Sequence, residues 1–144
     1  MEDNNIYKIL KFILNRLNNK KFVWRLEGSA NLKVQGIDVS VRDLDIVTDK
    51  NGINIFRELL KEFIVKDFYK EEIKSDSLIC SINNFEVEIL YRHGNKNLNM
   101  FNKIKIIQYK ELEIPILPLN CALEFYKLIN KQDKVGLIKN FLKK

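Results

Sequence analysis

The chain is poor in the residues that build unusual scaffolds. Its 144 residues include 2 cysteines, 2 prolines, 5 glycines, 1 histidine and 1 tryptophan. Cys80 and Cys121 have no neighbours at the spacing of a disulfide framework or a zinc site, so plain reduced thiols and a cytoplasmic setting are expected. So little Pro and Gly excludes a fibrous or linker-rich chain. No run approaches the roughly 18–20 apolar residues of a membrane span. Met1-Glu2-Asp3-Asn4 is acidic and polar where a secretory signal starts basic. No membrane role is expected. Arginine is scarce as well, 5 against 20 lysines.

What is present describes a folded domain. The hydrophobic fraction is 46% and the aromatic fraction 10%, which excludes intrinsic disorder. The length suits one domain spanning residues 1–144, large enough to bury about two-thirds of its unfolded surface. The net charge of +6 tilts toward an anionic partner such as phosphate or nucleic acid. That tilt is discounted. Lys, Asn (17) and Ile (19) are all frequent and share A- and T-rich codons, and Arg, the residue suited to bidentate phosphate grip, is the rare one.

Hydrophobic spacing predicts the elements. Ile6, Ile9, Leu10, Ile13, Leu14 and Leu17 form a helical stripe, capped by Asp3 or Asn4. Phe22 to Leu26 reads as a short strand that stops at Glu27-Gly28-Ser29, and Ser29 to Gln35 as a short helix. Arg42 to Thr48 alternates polar and apolar, as a half-buried strand does. Ile53, Phe56, Leu59, Leu60 and Phe63 mark a second amphipathic helix, and residues 64–74 read as extended. Ser77–Ile82 and Phe85–Tyr91 flank Asn83-Asn84, a hairpin signal because Asn tolerates positive φ. Lys103–Gln108 and Leu112–Ile116 are further strands. Pro118 opens a helix, and Asp133 is placed to cap a last one. This order predicts an α+β domain with a mixed sheet and flanking helices.

Three clusters can carry chemistry. Asp43 and Asp45 share a strand face, with Cα atoms about 6.6 Å apart. At about 5 Å, their repulsion is on the order of 3 kcal/mol at an effective dielectric of 20. Water on an open face offsets this, and so does a divalent cation held by one or two carboxylates plus substrate phosphates. Gly28-Ser29, between strand and helix, is an ordinary turn and cap or a phosphate cradle, with close backbone approach and free N–H groups. Glu86 and Glu88 are a second pair on a later strand. One of them joining Asp43 and Asp45 would assemble three carboxylates for two-metal displacement at phosphorus.

The combination Leu26-Glu27-Gly28-Ser29, thirteen residues, then Asp43-Leu44-Asp45-Ile46 resembles the signature of the nucleotidyltransferase superfamily with the DNA polymerase β-like fold. The motifs cover residues 22–91, and Ile114 to Pro118 with Leu123, Tyr126 and Lys134 looks like the small antibiotic-type and stand-alone members. The gap of thirteen is at the long end of the pattern, and the third acid is Glu rather than the commoner Asp. The resemblance implies a catalytic core over about 22–91 and a helical addition over about 118–143. It implies that Gly28 and Ser29 hold triphosphate, and that Asp43 and Asp45 bind two Mg²⁺ ions, with Mn²⁺ as a substitute. Glu88, which precedes Ile89 and Leu90, would be the third ligand and accept the acceptor's proton, with Glu86 as the alternative. Arg42, Lys127 and Lys134 are candidate phosphate contacts or plain surface charges. Trp24 and Tyr126 are candidate base contacts or core. His93 is read as a surface group.

The implied activity is transfer of a nucleoside monophosphate from a nucleoside triphosphate to a hydroxyl. A small acceptor fits 144 residues better than a long nucleic acid. Its pocket would come from the C-terminal helices or from a second subunit of a homodimer. Two other readings compete. One is a non-catalytic, antitoxin-like partner of another protein, against which more than fifty residues after Glu88 weigh. The other is a charge-driven nucleic-acid-binding module, for which the lysines form no Arg-rich or aromatic-interleaved stripe.

Overall fold

The computed structural model describes residues 1–93 and 103–144. Helix α1 (Asp3–Leu17) buries the predicted stripe of Ile6, Ile9, Leu10, Ile13 and Leu17. Its N-cap is Glu2, with no side-chain bond, rather than Asp3 or Asn4. Asp3 lies in the first turn, where its charge suits the helix N-terminus, and accepts from the Tyr109 hydroxyl. Asn18 ends the helix in the left-handed region at φ 47°.

Strand β1 (Trp24–Glu27) leads directly into α2 (Gly28–Val34), then β2 (Leu44–Thr48) and α3 (Lys50–Leu59). β1 extends past Leu26 because Glu27 still pairs with Asp45. β2 begins two residues later than its alternation suggests, since its register with the later strand Phe85–Arg92 starts at Leu44, so Arg42 and Asp43 lie in the bend before it. Asp49 caps α3 by accepting from the Gly52 N–H at 2.8 Å. A 3₁₀ turn at 61–63 takes the place of the last predicted turn of that helix.

The chain continues through β3 (Ile64–Lys70), β4 (Ser75–Ile82) and β5 (Phe85–Arg92), then β6 (Lys105–Tyr109) and β7 (Leu112–Ile116). Asn83 and Asn84 take φ of 53° and 66°, as the two-residue link between β4 and β5 requires. Helices α4 (Leu119–Leu128) and α5 (Gln132–Leu142) follow. Pro118 is the N-cap of α4. Lys131 precedes α5, so Asp133 sits in its first turn instead of capping it.

Among the described residues the strands form one seven-stranded sheet in the order β3-β4-β5-β2-β1-β7-β6. It is mixed: β2–β5 and β1–β7 are parallel, and the remaining neighbours antiparallel. α1 and α3 bury Ile6, Ile9, Ile53 and Phe56 against Leu26, Leu44, Ile46, Val87 and Ile89 in the main core. A second cluster joins Leu32 of α2 to Ala122, Phe125 and Tyr126 of α4 and Val135 and Ile138 of α5. The expected α+β architecture is what the structure has. Among the described residues no helix is long and apolar enough to cross a membrane.

Candidate active site

The three central strands align acids across the sheet. Glu27 of β1 is the register partner of Asp45 of β2, and Asp45 is the partner of Glu88 of β5. Residues directly opposite on neighbouring strands share a face, so the three carboxylates form a row. Asp43, in the bend before β2, adds a fourth.

This row floors a cavity of about 530 Å³. Gly28, Ser29, Arg42 and Asp43 line one part of it, and Phe125 and Tyr126 of α4, Lys131 before α5 and Lys134 of α5 close another. Gly28 has φ +69°, and a Cβ there would stand 2.4 Å from Asp45 Oδ2. The loop and the acid pack so closely that only glycine fits. Lys134 Nζ donates to Ser29 Oγ at 2.9 Å, tying α5 to the start of α2.

Of the two later acids, Glu88 lines the cavity; Glu86 is exposed, opposite Ser81, and does not. Glu88 is held from below: its Oε2 accepts from Lys70 Nζ at 2.7 Å and from Ser77 Oγ at 2.8 Å. Arg42 and Lys134 line the cavity. Lys127 lies outside it, exposed and paired with Glu124 at 3.6 Å. Trp24 packs in the main core, edge-on to Phe56, whereas buried Tyr126 faces the cavity. His93 is outside the cavity and contacts Asp76 at 2.8 Å.

Sequence reasoning passed over Glu27, Arg92, Phe125 and Lys131. Glu27 is 2% exposed although it interrupts the apolar stretch before Gly28. Its Oε2 accepts from buried Arg25 Nε at 2.8 Å and lies 3.5 Å from Arg92 Nη1. Arg92 lies 5.0 Å from the Phe125 ring centroid. The signal for Arg92 was available: it follows Glu86, Glu88 and Leu90 at a period of two on β5.

Burial pushes the Asp45 carboxyl up from 3.8 to about 7, and the charges of Asp43, Glu88 and Glu27 push in the same direction. Such a cluster of hard oxygen donors fits Mg²⁺ or Mn²⁺, which neutralises the charge that makes ionised Asp45 costly. Among the described residues, no three acid, histidine or cysteine side chains converge into a ready-made metal cage. The fit is therefore to an ion held by Asp43 and Asp45 and completed by a ligand's own oxygens. Glu88 also lines the cavity but is bonded to Lys70.

No family model matches the sequence, and no curated protein matches it. Solved structures do match its fold. A candidate nucleotidyltransferase from Thermotoga maritima superposes with a TM-score of 0.77 at 23% identity, over 99% of this chain and 96% of that one. The lincosamide antibiotic adenylyltransferase LnuA, bound to lincomycin, gives a TM-score of 0.65 at 17% identity, over 92% and 95% of the two chains. ANT(2'')-Ia, in complex with adenylyl-2''-tobramycin, gives 0.62 at 8% identity, over 96% and 90%. The chain has the nucleotidyltransferase fold, over nearly its whole length.

Proposed function

We propose that the protein is a metal-dependent nucleotidyltransferase. It moves a nucleoside monophosphate from a nucleoside triphosphate to a hydroxyl of a small acceptor. One observation carries the reading: the register that sets Asp45 opposite Glu88, with Asp43 beside them, in a cavity that also holds Gly28, Ser29 and Lys134. The adenylyltransferases of like fold, one bound to lincomycin and one to adenylylated tobramycin, lend support for a small acceptor.

In this reading the acceptor oxygen bonds to the α-phosphorus as the bond to the bridging oxygen of the β-phosphate breaks, and pyrophosphate leaves. Gly28 lets the backbone approach the β- and γ-phosphates, and the N–H groups at the start of α2 face them. Ser29, Lys134, Lys131 and Arg42 supply the donors and positive charge that hold the chain of phosphates. Glu88 takes the acceptor's proton. Asp43, Asp45 and Glu88 would hold the divalent ions, Mg²⁺ or Mn²⁺, which would supply charge neutralisation for the transferring phosphate. Phe125 and Tyr126 give the cavity its apolar wall, against which a base or an acceptor ring packs.

The test is direct. Incubation with α-labelled ATP, GTP, CTP or UTP, Mg²⁺ and a panel of hydroxylated small molecules is expected to release pyrophosphate with one triphosphate. Asp43→Ala and Asp45→Ala are expected to abolish that release. Absence of triphosphate binding, with Asp43→Ala indistinguishable from the parent, would overturn the reading.

A further inference from the structure

Lys70 has no part in the chemistry so far. It closes β3, three strands away from Asp45, yet its side chain reaches diagonally across β4 to the site. Its register partner is Ser75 on β4, while its ammonium lies 2.7 Å from Glu88 Oε2 on β5. The contact is built rather than incidental. Ser77 is fully buried and donates to the same oxygen at 2.8 Å. The Glu88 side chain is 16% exposed and that of Lys70 29%, and the Lys70 ammonium also lies 5.6 Å from the Phe68 ring centroid. Two donors from two strands thus converge on one carboxylate oxygen of the proposed third metal ligand. The same contacts agree with the lack of a three-acid cage among the described residues.

We infer that Lys70 is a positioning residue that holds Glu88 in reserve, standing in for the metal until the metal arrives. The inference rests on the metal-dependent reading of this site. With no ion bound, the ammonium offsets the charge of Glu88 beside Asp45. When an ion binds at Asp43 and Asp45, Glu88 must exchange its bond to Lys70 for a bond to the ion. The ion therefore competes with Lys70 for one carboxylate, and a unit positive charge beside the site opposes a dication. Lys70 makes binding of the free ion weaker than the three acids alone would give. The oxygens of a triphosphate arriving with the ion supply ligands that do not depend on Glu88, so the site loads preferentially with metal and nucleotide together.

The test uses Mn²⁺ alone, without nucleotide, titrated into the full chain and followed by electron paramagnetic resonance and calorimetry. Lys70→Gln keeps much of the length and a hydrogen-bond donor but removes the charge. It is expected to bind Mn²⁺ on the order of tenfold more tightly than the parent. Lys70→Arg, which keeps the charge, is expected to stay within about twofold of the parent. Thermal melts without metal confirm that each variant folds, and Ser77→Ala, which removes the other donor to Glu88 without altering charge, serves if Lys70→Gln does not. Ser77→Ala is expected to tighten Mn²⁺ binding severalfold. Unchanged or weaker Mn²⁺ binding in folded Lys70→Gln, with the parent's binding still abolished by Asp45→Asn, would overturn the role of Lys70 alone. A parent whose Mn²⁺ binding does not depend on Asp43 and Asp45 would overturn the metal-dependent reading itself.

Discussion

Asp45 gives the protein's stability a dependence on pH below and around neutrality. Its carboxyl is raised to about 7, first by burial and then by Asp43 and Glu88. The folded state therefore holds this proton more tightly than the unfolded chain, whose carboxyl titrates near 3.8. The stability so contributed is complete below the unfolded value and is lost as pH rises through about 7, a swing on the order of a few kcal/mol. Asp45→Asn cannot ionise. It is expected to melt several degrees above the parent at pH 8 and to match it near pH 4, in scans without metal. Mg²⁺ with a triphosphate is expected to raise the melting temperature of the parent and much less that of the variant. Lower stability of Asp45→Asn at pH 8 would point to a structural role for this carboxylate instead. Gly28 is as constrained as Asp45 is charged. Gly28→Ala places a Cβ 2.4 Å from Asp45 Oδ2 at a φ of +69°, and is expected to cost about 1–3 kcal/mol by denaturant melts and to lose triphosphate binding. Cys80 is shifted in the same direction as Asp45, since burial pushes its thiol up to about 11. In the native protein it is expected to resist a thiol reagent at pH 8 and to react only on unfolding.

At the scale of elements, the sequence was most legible where local chemistry and burial agree. Asn83-Asn84 between two β-prone runs gave the hairpin, and both residues take the positive φ that the turn needs. Asn84→Gly is expected to leave stability equal or raise it by a few tenths of a kcal/mol, and Asn83→Ala to lower it by about 1 kcal/mol, in chemical denaturation. The stripe of α1 was equally plain. Boundaries were less so, because tertiary partners set them. Nothing local says that β2 begins at Leu44 rather than Arg42; the pairing of Leu44 with Val87 of β5 does. The caps of α1 and α5 were misassigned for the opposite reason. Asp3 and Asp133 are good capping residues by type, but both fall inside the first turn, where they serve the helix dipole. The spacing of Gly28-Ser29 and Asp43/Asp45 made one half of the site readable. The choice between Glu86 and Glu88 was not, because both share a face and only the β2–β5 register puts one of them opposite Asp45.

For the whole molecule, the net charge of +6 proves a poor guide to where charge matters. Most lysines are scattered over the surface. The charges that line the cavity are five acids, Glu27, Asp43, Asp45, Glu88 and Asp133, and a few cations, drawn from β1, β2, β5, the bend before β2 and the start of α5. Lys134 is offered by the sequence as either a phosphate contact or a plain surface charge. It lies in a helix unremarkable in composition, and only the packing of α5 against α2 carries it to Ser29. Lys134→Ala leaves that packing intact. It is expected to weaken triphosphate binding about tenfold with little change in melting temperature, by calorimetry at moderate salt.

The bond between Lys134 and Ser29 joins residues 105 positions apart. The parallel pairing of β1 with β7 is of similar reach, since Leu26 meets Ile116. Closures this long are among the slowest steps available to a folding chain, and local pieces such as the β4–β5 hairpin can form well before them. An intermediate that has the hairpin and α1 would have Glu88 but not Asp45, and no finished place for phosphate. Nucleotide can then act only after the folding barrier. It is expected to slow unfolding without speeding refolding, a difference that stopped-flow kinetics with and without triphosphate and Mg²⁺ will resolve.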